Sequence, residues 1–162
     1  MVELIIGPGS PRLRLRPATD SDDELFRNIY ASTREDELAV TGWTALQKEQ
    51  FLAQQFAAQD HAYRNHYPGA EFWVIQADEL DAGRLYLHQR QRELWIMDLA
   101  LLPRYRNQGN GTRVLQAVLE AASKAGLTAG IHVEVFNPAQ RLYQRLGFKE
   151  TSRSGIYIRM EC

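Results

Sequence analysis

The chain has 162 residues, 44% of them hydrophobic and 24% charged, a composition that favours a globular protein and excludes a disordered one. This length predicts a single domain, residues 1–162. The formal net charge is −1, from 19 Lys and Arg and 20 Asp and Glu, which argues against nucleic acid as a partner. No apolar run reaches the roughly 18 residues of a membrane span, and the N-terminus lacks a basic segment, so we expect no membrane partner and a cytoplasmic protein. The single cysteine excludes an internal disulfide.

The N-terminal half of the sequence predicts one strand followed by two helices. Leucine and arginine alternate over residues 12–16, which is the period-two pattern of a strand. Residues 22–38 follow two capping residues and place apolar side chains at helical spacing. Residues 45–67 predict a second amphipathic helix. Its apolar stripe comprises Leu46, Phe51, Leu52, Phe56, Ala57 and Tyr63.

The middle of the sequence predicts an antiparallel meander of three strands. The strand-like runs are EFWVIQA, RLYLHQR and LWIMDLALL, at residues 71–77, 84–90 and 94–102. The run DELDAG, residues 78–83, separates the first two and predicts a turn.

The C-terminal part predicts helix, strand, helix and strand in alternation. Residues 112–126 carry the strongest amphipathic pattern, and residues 131–136 are strand-like. Residues 137–147 predict a short helix with Asn137 as its cap, before a final alternating strand at 155–160. The predicted order β-α-α-β-β-β-α-β-α-β indicates one mixed α/β layer structure.

The run RNQGNG, residues 106–111, lies between a strand and the strongest predicted helix. Gly109 and Gly111 allow backbone N–H groups to approach an anion, and the helix N-terminus adds partial positive charge. An ordinary turn is the alternative, because two glycines in a short connection are common. Side chains near enough to contact the same anion are Arg104, Arg106 and Thr112.

Spacing excludes two better-known phosphate loops. A Walker loop needs Lys followed by Ser or Thr after its second glycine, whereas Thr112 and Arg113 follow here. The dinucleotide fingerprint needs a third glycine where this chain has Val114. Neither a nucleotide triphosphatase nor a nicotinamide-binding fold is therefore predicted.

Two separate motifs resemble one family. Residues 99–115, LALLPRYRNQGNGTRVL, resemble motif A of the GNAT N-acetyltransferases, whose acetyl-CoA loop reads Arg/Gln-x-x-Gly-x-Gly/Ala. Residues 137–148, NPAQRLYQRLGF, resemble the exit of the family's fifth strand and the next helix, with its Tyr-x-x-x-Gly-Phe pattern. Asn107 stands where many members have glycine, and asparagine tolerates a positive φ. The resemblance implies an α/β (α+β) GNAT fold: a mixed, mostly antiparallel sheet with splayed fourth and fifth strands and helices on both faces.

The same resemblance implies acetyl-CoA as co-substrate, with its pantetheine arm lying along the open edge of the fourth strand. Tyr143 matches the family position that protonates the leaving thiolate. The alternative for Tyr143 is a packed helix aromatic whose hydroxyl bonds to backbone. The residues implied in cofactor binding are Leu99, Leu101, Arg104, Arg106, Asn107, Gln108, Gly109, Asn110, Gly111, Thr112, Asn137 and Tyr143.

An amine acceptor must lose a proton before it attacks, which requires a general base or a water chain. Asp98 and Glu134 are the acidic candidates, and His132 is the third. Strand parity does not decide between them, because a β-bulge is expected in this region.

Residues 43–73 occupy the place of the family's variable acceptor lid, where Trp43, His66 and Tyr67 are candidates for a substrate wall. Tyr86 and His88 share one face of a predicted strand and are further acceptor candidates. The expected function is acetylation of a primary amine, with a small molecule favoured as acceptor. A silent CoA-binding sensor and a protein or peptide N-acetyltransferase are the alternatives. No metal site is predicted, and open sheet edges allow a homodimer.

Overall fold

The computed structural model describes residues 2–162 and folds them around one seven-stranded sheet. The strands are β1 Leu13–Pro17, β2 Glu71–Ala77, β3 Leu80–Gln89, β4 Glu93–Leu101, β5 Thr128–Glu134, β6 Lys149–Ser154 and β7 Tyr157–Glu161. The α-helices are α1 Asp23–Thr33, α2 Glu35–Ala39, α3 Ala45–His66, α4 Asn110–Lys124 and α5 Gln140–Arg145. Short 3₁₀ turns cover Asp20–Asp22 and Pro103–Tyr105.

The strands lie in the order β1-β2-β3-β4-β5-β7-β6, and every neighbouring pair is antiparallel except β4 and β5. The predicted mixed, mostly antiparallel sheet is therefore confirmed. The parallel pair is the one that the long crossover through α4 connects, as parallel strands require.

Helices cover both faces of the sheet, as predicted. On one face, Val114 and Leu115 of α4 and Tyr143 of α5 join the larger hydrophobic cluster. On the other face, Ile29 of α1 and Phe56 of α3 pack in a second hydrophobic cluster. The sheet contributes aromatic side chains to the same cluster. The site described below lies where β4 leaves its neighbour β5 between these two layers.

The helix predicted over residues 22–38 is interrupted. It starts as a 3₁₀ turn, and Arg34 (φ −111°, ψ 0°) separates α1 from α2. Two hydroxyl groups bond back to carbonyls of α1 just before the break: Ser32 Oγ donates to the Ile29 carbonyl at 2.7 Å, and Thr33 Oγ1 donates to the Tyr30 carbonyl at 2.6 Å. Such bonds compete with the next turn of helix.

Strand β6 was missed by the sequence prediction, which had only the final strand. All six residues of β6 are exposed at the sheet edge, so the strand has no apolar alternation to reveal it. Gly155, at φ 59°, makes the turn to β7.

Two predicted boundaries and one predicted stripe also shift. The turn expected over residues 78–83 shrinks to Asp78 and Glu79, both at positive φ, as in a two-residue hairpin. Helix α5 begins at Gln140, because Asn137 Oδ1 accepts from the Ala139 N–H (2.9 Å) in a turn before it. In α3 only Phe56 of the predicted stripe is buried. Within residues 2–162, none of the helices combines the length and apolarity that a membrane crossing needs.

A close approach of β3 to β4 gives a test of the sheet. A Cβ at Gly83 would lie 2.3 Å from the Ala100 carbonyl oxygen, a backbone atom that cannot rotate away. We expect Gly83→Ala to lower the free energy of unfolding by about 2 kcal/mol or more, measured by urea denaturation. Gly7→Ala is the control, because no atom lies within 4 Å of a Cβ there. Equal stability of the two variants would contradict the register.

Candidate active site

Strands β4 and β5 are paired over only part of their length. Residues 93–96 pair with 128–131, and no pairing between the two strands follows beyond these positions. The remaining part of β4 pairs only with β3, so a fork opens between β4 and β5. This is the splay that the resemblance implied.

The open edge of β4 directs backbone groups into the fork. The Leu102 N–H donates to the Ala82 carbonyl at 2.8 Å, which is toward β3. Because successive residues of a strand direct their backbone groups to opposite edges, Leu99 and Leu101 direct theirs to the fork. The Leu101 carbonyl accepts from Arg106 Nε at 2.8 Å. Among residues 2–162, the Leu99 carbonyl has no such side-chain donor and stays open to the fork.

The glycine loop joins this edge to α4. Asn107 and Gly109 adopt left-handed conformations, at φ 58° and 80°, and Gly109 is the N-cap of the helix. The backbone N–H groups of residues 107–112 make no hydrogen bond to any atom of residues 2–162. A run of unpaired amides at a helix N-terminus forms an anion-binding concavity.

Side chains within the loop hold its shape. Asn110 is buried, and its Nδ2 donates to the Tyr105 carbonyl at 3.0 Å. The Arg106 guanidinium also donates to Ser32 Oγ at 3.1 Å, which ties the loop to α1. Arg106 therefore contributes Nε and Nη2 of its side chain to the scaffold, and its backbone N–H donates to the Pro103 carbonyl at 3.2 Å, so the unpaired amides begin at Asn107. Arg104 is exposed, with its guanidinium over the Tyr105 ring.

These two features fit acetyl-CoA. A pyrophosphate is an anion of the size that several convergent amides hold, and the loop offers six in succession. A pantetheine arm carries amides that pair with an open strand edge, which Leu99 offers.

A cleft of about 1200 Å³ lies at the mouth of the fork. Its walls come from α1, α2, α3, β3, β4, β5, β7 and the loop after β5. The structure places six predicted site residues on this wall: Tyr67, Asp98, Leu99, His132, Glu134 and Asn137. The fork thus brings together the predicted cofactor edge and all three base candidates.

Tyr143 is buried, with its ring 5.8 Å from that of Phe148. Its hydroxyl makes no hydrogen bond to residues 2–162, so the alternative of a hydroxyl satisfied by backbone is not observed. Burial, and then the negative charge of Asp98, raise the pKa of Tyr143 to about 12. The phenol consequently keeps its proton at neutral pH.

The base candidates differ in their surroundings. Asp98 Oδ2 lies 2.5 Å from Arg84 Nη2, an ion pair whose geometry is not that of a hydrogen bond. Glu134 is half-buried at the end of β5. His132 is exposed overall, but its ring packs 4.5 Å from that of Trp95. This partial burial, and then two arginine charges, lower the pKa of His132, which favours the neutral imidazole.

Four of the five predicted acceptor candidates lie away from the cleft wall, namely Trp43, His66, Tyr86 and His88. Trp43 is 40% exposed and packs on Phe51, while Tyr86 is buried beneath α1 and α3. His88 Nε2 lies 3.1 Å from the Pro68 carbonyl oxygen. Their roles in acceptor binding stay predictions.

Tyrosines that the sequence reasoning did not single out line the cleft instead. They are Tyr30, Tyr63 and Tyr157, together with Tyr67, which was a candidate. Tyr63 lies in the last turns of α3 and Tyr67 is the C-cap residue of that helix, so their four-residue spacing is the signal that could have found them. Among residues 2–162, no group of three His, Cys, Asp or Glu side chains is arranged to hold a metal ion.

Comparison with known proteins agrees with this geometry. The model of the acetyltransferase (GNAT) family matches residues 27–148. The chain belongs to the GNAT acetyltransferase family. Its fold is similar to the PaiA N-acetyltransferase from Thermoplasma acidophilum in complex with coenzyme A, with a TM-score of 0.71 and 17% identity, covering 93% of this chain and 98% of that one.

Two further proteins that this GNAT chain resembles have names that indicate the amine they acetylate. The spermidine N-acetyltransferase from Vibrio cholerae, in complex with CoA and spermine, has a TM-score of 0.64 and 18% identity over 93% of this chain and 94% of that one. N-alpha-acetyltransferase 50 from Danio rerio is 40% identical over 78 residues. That match spans 45% of this chain and 46% of the zebrafish protein, so less than half of that relative is covered.

Gly111 gives the cleaner test of the anion cradle. Gly109 needs its positive φ, so any side chain there strains the backbone, whereas Gly111 lies in the first turn of α4. The nearest atom to a Cβ at Gly111 is Leu101 Cδ1 at 3.9 Å. We expect Gly111→Val to fold normally but to weaken acetyl-CoA binding about tenfold or more, since the new side chain occupies the anion's space.

The measurement is isothermal titration with acetyl-CoA beside a thermal melt. Gln116→Val, at an exposed position of the same helix, is the matched control. Unchanged acetyl-CoA affinity in a folded Gly111→Val protein would favour the ordinary turn.

Proposed function

We propose that this chain is an acetyl-CoA-dependent N-acetyltransferase that acetylates a primary amine of a small molecule by direct transfer. The observation that carries the proposal is the fork, which joins six unpaired amides at one end to a polar, tyrosine-lined cleft at the other. An enzyme of this kind needs both a cofactor edge and an acceptor space that meet at one point.

The cofactor is held mostly by backbone in this proposal. The amides of residues 107–112 receive the pyrophosphate, with Arg104 and the Thr112 hydroxyl beside them. Leu99 pairs with the pantetheine arm at the open edge of β4, and the N–H of Leu101 continues the same edge. Asn137, on the facing wall, borders the arm near the thioester.

When bound, acetyl-CoA supplies a thioester, whose acetyl carbonyl is electrophilic and whose sulfur leaves as a thiolate. The acceptor first loses a proton from its ammonium group, and Glu134 or His132 takes that proton at the cleft wall. The amine nitrogen then forms the C–N bond while the C–S bond breaks. The newly bonded nitrogen releases its second proton to water, Tyr143 gives its phenolic proton to the departing sulfur and the phenolate regains one from solvent, so the products are the acetamide and CoA thiol.

Tyr143 can be tested by deleting one oxygen atom. Because its hydroxyl makes no hydrogen bond to residues 2–162, Tyr143→Phe removes the proton donor without removing a structural bond. We expect kcat to fall about tenfold or more with little change in acetyl-CoA affinity or melting temperature. Tyr105→Phe is the control, because Tyr105 has the same exposure of 8%. An unchanged kcat with a good amine acceptor would remove Tyr143 from the mechanism.

The charges on the cleft wall support a cationic acceptor. Asp36 and Glu134 line the cleft, and within residues 2–162 neither forms an ion pair. The aromatic rings of the cleft wall would attract the same cation through cation–π interactions. The named substrate of the Vibrio cholerae neighbour, a polyamine, has this chemistry.

A peptide N-terminus is the second candidate acceptor. Phe136 and Tyr157 lie on the cleft wall and are 69% and 49% exposed, an apolar rim of the kind that contacts a polypeptide. The zebrafish relative bears the name of an N-alpha-acetyltransferase. A CoA-binding module without turnover is the third possibility, since the cradle alone would serve it.

One experiment separates these functions. The protein is incubated with acetyl-CoA and, in parallel, diamines and polyamines, aromatic amines, amino acids and short peptides, and free CoA thiol and acetylated product are measured. We expect the highest kcat/KM with a small cationic amine, and loss of turnover in Tyr143→Phe. Higher kcat/KM with peptides would assign the second candidate. Tight acetyl-CoA binding without any acceptor-dependent release would contradict an enzyme.

A further inference from the structure

Arg84 is a buried charge at the floor of the cleft. The residue is 2% exposed, and two of its nitrogen atoms, Nε and Nη1, are buried with no hydrogen-bond partner in residues 2–162. Its third nitrogen, Nη2, donates to Gln59 Oε1 at 3.1 Å and meets Asp98 Oδ2 at 2.5 Å. Burying a guanidinium is costly unless it is paired and fully hydrogen-bonded, and two nitrogens of Arg84 have no partner in the described part of the chain, so stability alone does not account for this residue.

The sheet register brings the two charges together. Arg84 lies opposite Ala100, whose small side chain leaves room for the guanidinium, and Asp98 is the diagonal neighbour. A β-bulge at Met97 makes this proximity possible. Ile96 and Asp98 pair with consecutive residues of β3, and Met97 between them pairs with none. The extra residue turns the Asp98 side chain onto the same face as Arg84, beneath α1 and α3.

The pair is asymmetric with respect to the cleft. The Arg84 side chain is 2% exposed and the Asp98 side chain 23%, and Oδ2, the oxygen on Arg84, is the buried one. The Arg84 guanidinium lies 4.9 Å from the Tyr86 ring centre and 5.9 Å from that of Tyr30, so aromatic rings cover the cation. The end of the pair that faces the cleft is therefore the negative one.

We propose that Arg84 is a positioning residue that fixes Asp98, and that the open Asp98 oxygen accepts an N–H of the acceptor's primary amine at the fork. Asp98 is two residues beyond the last β4–β5 pair and next to Leu99, so the nitrogen is held beside the open cofactor edge. This inference rests on the proposed function.

The pair suits binding rather than proton transfer. A proton on Asp98 would leave the buried Arg84 charge without its counter-charge. The structure thus moves Asp98 from the base candidates to the anchor of the acceptor, which leaves Glu134 and His132 as bases.

The test compares Arg84→Met, Asp98→Asn and the double variant. Each single variant leaves an unmatched buried group and is expected to lower the melting temperature, whereas the double variant removes both charges and recovers much of it. Steady-state kinetics use the primary amine turned over fastest in the acceptor panel. We expect kcat/KM for that amine to fall about thirtyfold or more in Asp98→Asn and to stay low in the double variant, with acetyl-CoA affinity retained.

A second measurement needs no turnover. Trp95 lines the cleft, so its fluorescence follows the binding of 1,4-diaminobutane to the CoA-bound protein. We expect saturable binding that weakens about tenfold or more in Asp98→Asn and in the double variant, but not in Asp22→Asn. Asp22 is the matched control, a buried carboxylate on Arg16 that lies outside the cleft.

The outcomes separate the pair from the proposed function. If the double variant recovered both the melting temperature and the kcat/KM for the amine, the Arg84–Asp98 pair would have only a structural role and the inference would be overturned. Diamine binding that is absent, or equal in all variants, would also overturn it. Diamine binding that depends on Asp98 in a protein that acetylates no amine would support the anchor and contradict the enzyme.

Discussion

The hydrogen bonds between β4 and β5 stop after residues 96 and 131, and the site depends on the strand edge that this leaves. A central strand normally satisfies its backbone on both sides, so an open stretch within a sheet is expensive unless a ligand or solvent pairs with it. The chain supports the open stretch from behind, where β3 pairs with residues 94–101 of β4 except at the Met97 bulge. In the proposed function, this edge of the sheet serves as the binding surface.

The glycine loop, like the open edge of β4, leaves backbone groups unpaired while other contacts hold its shape. Arg106 and Asn110 use their side chains to fix the loop against α1 and the 3₁₀ turn, while the six backbone amides of residues 107–112 stay unpaired. In the proposed function, side chains therefore provide the scaffold and the backbone provides the contacts to the anion.

The sequence predicted the parts of this arrangement that rest on local chemistry. The helix after the loop, the meander and the left-handed Asn107 follow from periodicity and from the φ preferences of glycine and asparagine. The break at Arg34 did not, because hydroxyl groups that bond back to carbonyls are equally common inside continuous helices. Strand β6 was missed because an exposed edge strand needs no apolar face.

For the site, motifs in short stretches of chain indicated the glycine loop and Tyr143 as candidates, and their roles stay predictions. The Arg84–Asp98 pair was hidden, because it depends on a register between two strands and on a bulge at Met97 that no local pattern shows. Acceptor residues were the least predictable for the same reason: the tyrosines of the cleft come from elements far apart in sequence.

One carboxylate links the proton chemistry of the cleft to its charge. Burial is the larger cause of the raised pKa of Tyr63 and of Tyr143, both about 12, and the negative charge of Asp98 adds to it in each case. In the proposed mechanism, the charge that attracts an ammonium group is thus also one that keeps the neighbouring phenols protonated. Because Arg84 holds that carboxylate from the buried side, the proposed acceptor anchor and the smaller, electrostatic part of the two raised pKa values share one cross-strand contact.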